Sequence, residues 1–323
     1  MSSCGVGFVC DIRGAKSHDI VSWGIEAVKN LTHRGAVGAD GKTGDGAGVL
    51  FEIPRKFFLN EIERQTFTLS HGSNLAVAVF FLKKRVEPEI EEVLRKHHLR
   101  PVGWRDVPTD DSALGESACA TKPAIRHLFI DTHGIDPGNT EIRLYLARRA
   151  IEKRFERDVY IPSMSAKTIV YKGLLVAPQL DRFYPDLKNK DFESAFSIFH
   201  QRFSTNTLPD WTLAQPLRVL AHNGEINTIQ GNRNWMAAIE HEVIHEIFGD
   251  AGSSIRPLVS NEESDSASLD RIIELLMLAG YSPEQALMLC IPPAWENLDF
   301  SDEEKALFEY QSLRMKPWDG PAA

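Results

Sequence analysis

Cysteine is scarce in this 323-residue chain, and its scarcity excludes several classes of protein. The 4 cysteines (Cys4, Cys10, Cys119 and Cys290) show no CxxC spacing and form no cluster that could hold an iron–sulfur centre. A chain of this length can bury a large core without disulfides. We therefore expect a reducing compartment, which is the cytoplasm, or the plastid stroma if the chain comes from a photosynthetic eukaryote.

Basic charge and long apolar runs are also in short supply. Lys and Arg together number 36 against 45 Asp and Glu, so the formal net charge is −9. Binding of nucleic acid depends on clustered Lys and Arg that neutralise phosphates, and this balance argues against it. No apolar run reaches the roughly 20 residues that a membrane-spanning helix needs. The sequence therefore predicts neither a nucleic-acid partner nor a membrane partner.

Strand-like and helix-like segments alternate along the chain. The predicted strands cover residues 5–12, 46–53, 74–82, 124–132, 192–203 and 218–226. The predicted helices cover residues 19–31, 87–98, 139–157, 235–248 and 268–279, and Ser282 and Ser301 are typical N-caps of two more. Several strands lack the crossover helix that a parallel sheet requires, which favours a layered α+β domain.

One candidate site is an HExxH motif at residues 241–245. On a helix, this spacing places the imidazoles of His241 and His245 on one face, as in zinc peptidases, with Glu242 between them. A third ligand would come from the segment around Glu262, but its spacing is one residue short of the usual pattern. The alternative is a solvated helix face. A zinc metallopeptidase stays open as a second interpretation.

The other candidate is Cys4. A cysteine that leads into a strand is most often a small buried side chain. If residues 1–3 are removed, however, Cys4 carries a free α-amine whose ordinary pKa, near 8, suits a base for its own thiol. A nucleophile paired with its N-terminal amine is an established catalytic arrangement. Cys4 is therefore a structural residue of a non-catalytic regulatory domain, or the nucleophile of an enzyme.

Longer sequence blocks favour the enzyme. The chain resembles the class II, N-terminal-nucleophile glutamine amidotransferases, and in particular the amidotransferase domain of the glutamate synthase large subunit. The blocks that carry the resemblance are CGVGF (4–8), HRGA (33–36), TGDGAG (43–48), HQRFSTNT (200–207), AHNGEINT (221–228), SNEESDSA (260–267) and PWDGP (317–321). They occur in order over nearly the whole chain, which makes the resemblance specific.

The resemblance implies an α+β fold, a four-layer αββα sandwich of two antiparallel sheets flanked by helices. It also implies a site for the hydrolysis of glutamine to glutamate and ammonia. Cys4 is then the nucleophile, and Asn223 and Gly224 donate to the oxyanion. Substrate binding falls to Arg202 for the α-carboxylate, Asp265 for the α-ammonium, Thr205 beside them, and Arg34 in a lid at residues 34–45.

The same resemblance implies that this chain carries out only the glutamine-hydrolysing half of a larger reaction. Ammonia would pass to a synthase domain or subunit that holds FMN and an iron–sulfur cluster, acts on 2-oxoglutarate and takes electrons from a further partner. No cofactor is expected in this chain itself. Residues 1–3 would be a short leader that must be removed, and residues 4–323 the amidotransferase domain. The end at residues 315–323 carries no closing element, which predicts a cut inside a longer polypeptide.

Overall fold

The computed structural model describes residues 5–70, 74–202 and 209–320. The chain divides into two compact units, Met1–Asn223 and Gly224–Ala323, and each is described by itself. In the described part of the first unit, the strands are β1 (Gly5–Cys10), β2 (Ala47–Glu52), β3 (Leu75–Leu82), β4 (Arg100–Asp106), β5 (Ala124–Asp131), β6 (Val159–Ser165), β7 (Thr168–Gly173) and β8 (Phe196–Gln201). Its helices are α1 (His18–Asn30), α2 (Arg55–Arg64), α3 (Glu87–Lys96), α4 (Glu116–Ala120), α5 (Pro137–Phe155) and α6 (Leu180–Phe183).

These strands form two four-stranded sheets within the described residues. One sheet has the order β1-β8-β2-β7 and the other β4-β5-β3-β6, and every pairing is antiparallel. Side chains alternate between the two faces of a strand, so β3 buries Val77 and Val79 on one face and Ala78 and Phe80 on the other. Both faces of β3 therefore belong to a core, as its uniformly apolar sequence requires.

The first core lies where the two sheets meet, and the second lies under helices. Val49 and Tyr171 of one sheet share a buried cluster with Val79 and Phe129 of the other. The opposite face of the second sheet packs against apolar residues of α3 and α5. Helix α1 approaches the first sheet so closely that a Cβ on Gly24 would lie 2.0 Å from Ser197 Oγ. Two antiparallel sheets flanked by helices confirm the predicted αββα sandwich.

The second unit is helical. Its helices are α7 (Ile229–Phe248), α8 (Asp265–Leu278), α9 (Pro283–Cys290) and α10 (Asp302–Arg314). Ser282 and Ser301 are the N-caps of α9 and α10, as predicted, and the structure shows that both form reciprocal capping boxes. The segment after α10 packs against the helices. Trp318 is buried, and its backbone N–H donates to the carbonyl of Cys290 at 2.8 Å. Over the described ranges, no helix is long and apolar enough to cross a membrane.

The prediction of a strand at residues 218–226 is wrong. Within the described residues the chain forms no strand here, and a side chain bonds the backbone of His222. Gln215 Oε1 accepts the N–H of His222 at 2.8 Å, and Gln215 Nε2 donates to its carbonyl at 3.1 Å. A segment whose composition predicts a strand is therefore irregular in the part of the chain that the structure describes. A buried glutamine supplies the hydrogen bonds instead.

The other predicted elements are present, with changes at their ends. The helices predicted at 235–248 and 268–279 begin earlier, at Ile229 and Asp265. The first turn of α8 is short and polar and carries no apolar periodicity, and Ser264, which accepts the N–H of Ala267, is its N-cap. Strand β8 is also shorter than predicted: within the described residues it ends at Gln201. Helix α2 and strands β4, β6 and β7 carried no sequence prediction.

Candidate active site

The end of the first sheet brings several predicted residues together. Gln201, the last residue of β8, pairs with Gly5 of β1 on one side and with Ala47 of β2 on the other. Its side chain joins neighbouring segments, since Nε2 donates to the carbonyl of Gly46 at 3.1 Å and Oε1 accepts the N–H of Ala177 at 2.7 Å. Gly5 is covalently bonded to Cys4. Cys4 and Thr205 themselves lie outside the described residues.

Arg202 leaves this end of the sheet in an unusual conformation. Its φ is +102°, in a region that L residues rarely adopt, and the neighbouring Gly46 has a φ of +131°. The N–H of Arg202 donates to the carbonyl of Gly46 at 2.7 Å. Strain of this kind costs about 1–3 kcal/mol and persists only where surrounding contacts impose it, which is typical of functional sites.

The guanidinium of Arg202 is oriented by a buried carboxylate. Its Nε lies 3.3 Å from Oδ2 of Asp45, which is 6% exposed, while the Arg202 side chain is 29% exposed. Burial raises the pKa of the Asp45 carboxyl, and the charge of Arg202 opposes that effect. The Arg202 side chain is therefore paired with Asp45 and only partly buried. Sequence reasoning named Arg202 and missed Asp45, although Asp45 lies inside the TGDGAG block.

A buried histidine connects this region to Asn223. His200 on β8 is fully buried, and its Nδ1 lies 2.9 Å from the carbonyl of Arg202. Its Nε2 lies 3.2 Å from the carbonyl of His222, which immediately precedes Asn223. Gln215 bonds both backbone groups of His222, so the approach to Asn223 is fixed from two sides. The wrongly predicted strand is thus a segment that presents Asn223.

Two further predicted residues, Gly224 and Asp265, lie in the second unit. Asp265 is the first residue of α8, and its Oδ2 accepts the N–H of Ile226 at 3.0 Å. Its Oδ1 accepts the N–H of Ser266 at 2.6 Å. Asp265 is thereby bound to the segment that begins with the buried Gly224. The roles of Gly224 as an oxyanion donor and of Asp265 as an ammonium ligand stay predictions.

The second half of the predicted lid at residues 34–45 is held in place by hydrogen bonds. Asp40 Oδ1 accepts the N–H of Thr43 at 2.7 Å, and hydrogen bonds to Asp40 from Thr43 and Lys42 hold the pKa of its carboxyl well below the usual range. Lys42 Nζ donates to the carbonyl of Ser112 at 2.7 Å. Arg34 lies exposed in the short helical turn Thr32–Arg34 at the other end of the segment.

The HExxH motif does not form part of this arrangement. His241, Glu242 and His245 are exposed on α7, and Glu262 is exposed in the turn before α8. Among the residues that the structure describes, no group of three or more His, Cys, Asp or Glu side chains could hold a metal ion. The motif is a solvated helix face, and the metallopeptidase interpretation has no support.

Comparison with known proteins agrees with this arrangement. The family model for class-II glutamine amidotransferases matches residues 4–323. The chain therefore belongs to the class-II glutamine amidotransferases, enzymes that take ammonia from the side-chain amide of glutamine.

Individual relatives show which members of this family the chain resembles. The chain is 43% identical to the glutamate synthase [NADPH] large chain of Azospirillum brasilense, and 40% identical both to the ferredoxin-dependent glutamate synthase of Pyropia yezoensis and to the glutamate synthase [NADPH] large chain of Bacillus subtilis. Each match covers 99% of this chain but only 22% of the relative. The chain thus spans about a fifth of the length of these relatives.

Proposed function

We propose that this chain is the glutaminase domain of a glutamate synthase and that it hydrolyses glutamine at a site formed around Cys4, Arg202 and Asn223. The observation that carries the proposal is the arrangement at the end of the first sheet. There, Arg202 has a strained backbone and is held by the buried Asp45. It follows Gln201, which pairs with Gly5, the residue after Cys4. The family match from residue 4 onward supports the same site.

The chemistry is acyl transfer to a thiol. The α-amine of Cys4 takes the thiol proton, and the sulfur attacks the side-chain carbonyl carbon of glutamine to give a tetrahedral oxyanion. The side-chain N–H of Asn223 and the backbone N–H of Gly224 donate to that oxygen. The ammonium form of the amine then returns its proton to the amide nitrogen, the C–N bond breaks to release ammonia, and water hydrolyses the thioester to glutamate.

The charged end of glutamine is recognised by opposite charges. The guanidinium of Arg202 binds the α-carboxylate, and its planar donors suit a carboxylate better than a lysine would. Asp265 binds the α-ammonium, Thr205 lines the same site, and Arg34 lies in the segment that covers it. The buried Asp45 supports this reading, because its carboxylate lies 3.3 Å from Nε and holds the guanidinium of a side chain that is 29% exposed.

The product ammonia requires an acceptor. We propose that it passes to a synthase domain or subunit that contains FMN and an iron–sulfur cluster and converts 2-oxoglutarate to glutamate. Electrons would come from a partner that uses NADPH, NADH or ferredoxin. The names of the relatives support such an acceptor. The scattered cysteines of this chain support placing the iron–sulfur cluster in the synthase part.

The experiment that tests the function is intact mass spectrometry of the chain with a diazo-ketone analogue of glutamine, alongside an assay of ammonia release. We expect one adduct on a chain that begins at Cys4, and glutamine-dependent ammonia release by the same preparation. Glutaminase activity without any adduct would contradict the nucleophile assignment. Stoichiometric zinc and inhibition by chelators would instead restore the metallopeptidase. Failure of glutamine to raise the melting temperature, with no activity, would favour a non-catalytic domain.

We expect Asn223→Ala to lower kcat for glutamine about 100- to 1,000-fold, because it removes one oxyanion donor, worth roughly 2.7–4 kcal/mol in the transition state. KM should change little, since the bond forms only as charge develops. Steady-state ammonia release measures both constants. Asn60→Ala is the matched control: its side chain donates to Asp191 at 3.0 Å in a half-buried contact of α2, and kcat should stay at the parent value. A kcat within threefold of the parent for Asn223→Ala would remove Asn223 from the oxyanion site.

A further inference from the structure

His200 occupies a position that the proposed chemistry does not explain. It is fully buried near the end of β8, and its ring lies between two main-chain carbonyls. Nδ1 is 2.9 Å from the oxygen of Arg202, and Nε2 is 3.2 Å from the oxygen of His222. One of these carbonyls belongs to the proposed ligand of the α-carboxylate, and the other precedes Asn223. A single side chain therefore touches the backbone at both parts of the site.

The ring can donate to only one of these carbonyls at neutral pH. Burial lowers the pKa of His200 to about 4, so the imidazole is neutral and carries one N–H. The carbonyl of His222 already accepts a hydrogen bond from Gln215 Nε2 at 3.1 Å. The contact to Arg202 is the shorter of the two. These facts favour the tautomer with the proton on Nδ1, which donates to Arg202.

The backbone of Arg202 needs such support. Its φ of +102° is maintained from one side by the N–H bond to Gly46 at 2.7 Å. The bond from His200 holds the carbonyl on the other side of the same residue. The direction of the guanidinium depends on this backbone as well as on the ion pair with Asp45. Releasing the carbonyl would allow Arg202 to relax to negative φ and move its side chain.

We propose that His200 is a positioning residue for glutamine, whose Nδ1–H holds the carbonyl of Arg202 and so directs the guanidinium to the substrate carboxylate. The proposal rests on the proposed function of Arg202. His200 touches no reacting atom, and its effect falls on glutamine binding rather than on bond breaking.

Two variants separate the two ring nitrogens. The amide nitrogen of His200→Asn can take the position of Nδ1, whereas that of His200→Gln takes the position of Nε2. We expect His200→Asn to keep KM for glutamine within threefold of the parent. We expect His200→Gln to raise KM at least tenfold while kcat falls by less than threefold. The constant KI for the diazo-ketone should follow KM. A KM for His200→Gln within threefold of the parent, or equal increases in both variants, would overturn the proposal.

A second buried histidine provides the control for stability. His127 on β5 is also fully buried but packs against Phe58 and Tyr171 in the core. His127→Gln should lower the melting temperature and leave KM unchanged. If it raises KM as His200→Gln does, the effect is general destabilisation and the proposal is overturned.

A measurement on the unsubstituted protein makes the test independent of folding. Nitrogen-15 NMR of labelled histidine should show His200, assigned by the loss of its signal in His200→Asn, as the neutral Nδ1–H tautomer at pH 7. The Nε2–H tautomer would overturn the proposal. If the parent neither hydrolyses glutamine nor forms the adduct, the proposed function itself fails and this inference falls with it. An active parent whose variants do not follow the pattern overturns this inference alone.

Discussion

Replacing Cys4 with alanine is expected to lower kcat for glutamine hydrolysis at least about 10,000-fold. The reason is chemical rather than structural: in the proposed mechanism this side chain supplies the atom that forms the thioester, and no other group can replace it. The oxyanion donors and the substrate ligands remain, so residual binding of glutamine should persist. Ammonia release, adduct formation with the diazo-ketone and the rise in melting temperature on adding glutamine together measure the loss.

The matched control is another cysteine of the chain. Cys10, the last residue of β1, is exposed and free. Cys10→Ala should keep the parent activity and still form one adduct. Loss of the adduct in Cys10→Ala, or near-normal turnover in Cys4→Ala, would move the nucleophile away from Cys4. A chain that keeps residues 1–3 should be as inactive as Cys4→Ala, because its base would be an amide nitrogen.

The second large effect concerns stability. Arg105 and Asp186 form a two-pronged ion pair inside the first unit, with distances of 2.7 and 2.8 Å, and both side chains are 4% exposed. Glu61 accepts from the Nε of Arg105 at 2.8 Å, and the hydroxyl of Tyr171 donates to Asp186 at 3.0 Å. Asp186→Asn should lower the free energy of unfolding by about 3–5 kcal/mol, because it leaves a buried guanidinium without its main partner.

Urea unfolding followed by tryptophan fluorescence measures this loss. The control is Asp158→Asn, which breaks the surface pair between Lys84 and Asp158, whose side chains are 67% and 37% exposed. Solvent screens that pair, so its loss should cost no more than about 1 kcal/mol. If Asp186→Asn costs as little as its control, the buried network contributes nothing beyond a surface ion pair.

Much of the fold could be predicted from local patterns. β3 is an uninterrupted run of apolar residues, half of them valine and phenylalanine, and a strand buried on both faces requires such a run. Ser282 and Ser301 stand three residues before Gln285 and Glu304, and this spacing encodes a capping box by itself. The segment at 218–226 has the composition of a strand. Whether it pairs depends on a partner far away in the chain, so its local pattern misled.

The candidate site, too, could be predicted from the sequence only in part. The residue types that suit the chemistry of glutamine (Cys4, Arg202, Asn223, Gly224 and Asp265) stand in the sequence blocks, because the reaction itself calls for a nucleophile, donors and opposite charges. The roles of Asp45 and His200 have no such local signature. An aspartate in a glycine-rich loop and a histidine in a strand have many ordinary explanations.

Only the tertiary structure decided that these two residues support the site. Asp45 lies beside Arg202 because β2 pairs with β8. This pairing brings the segment before β2 and the segment after β8, which are far apart in sequence, to the same end of the sheet. His200 reaches both Arg202 and His222 because the irregular segment held by Gln215 returns to that end. The sequence determined which chemical groups are present. The pairing of distant strands and the burial that follows from it determined which of them are held in place, since neither depends on neighbours along the chain.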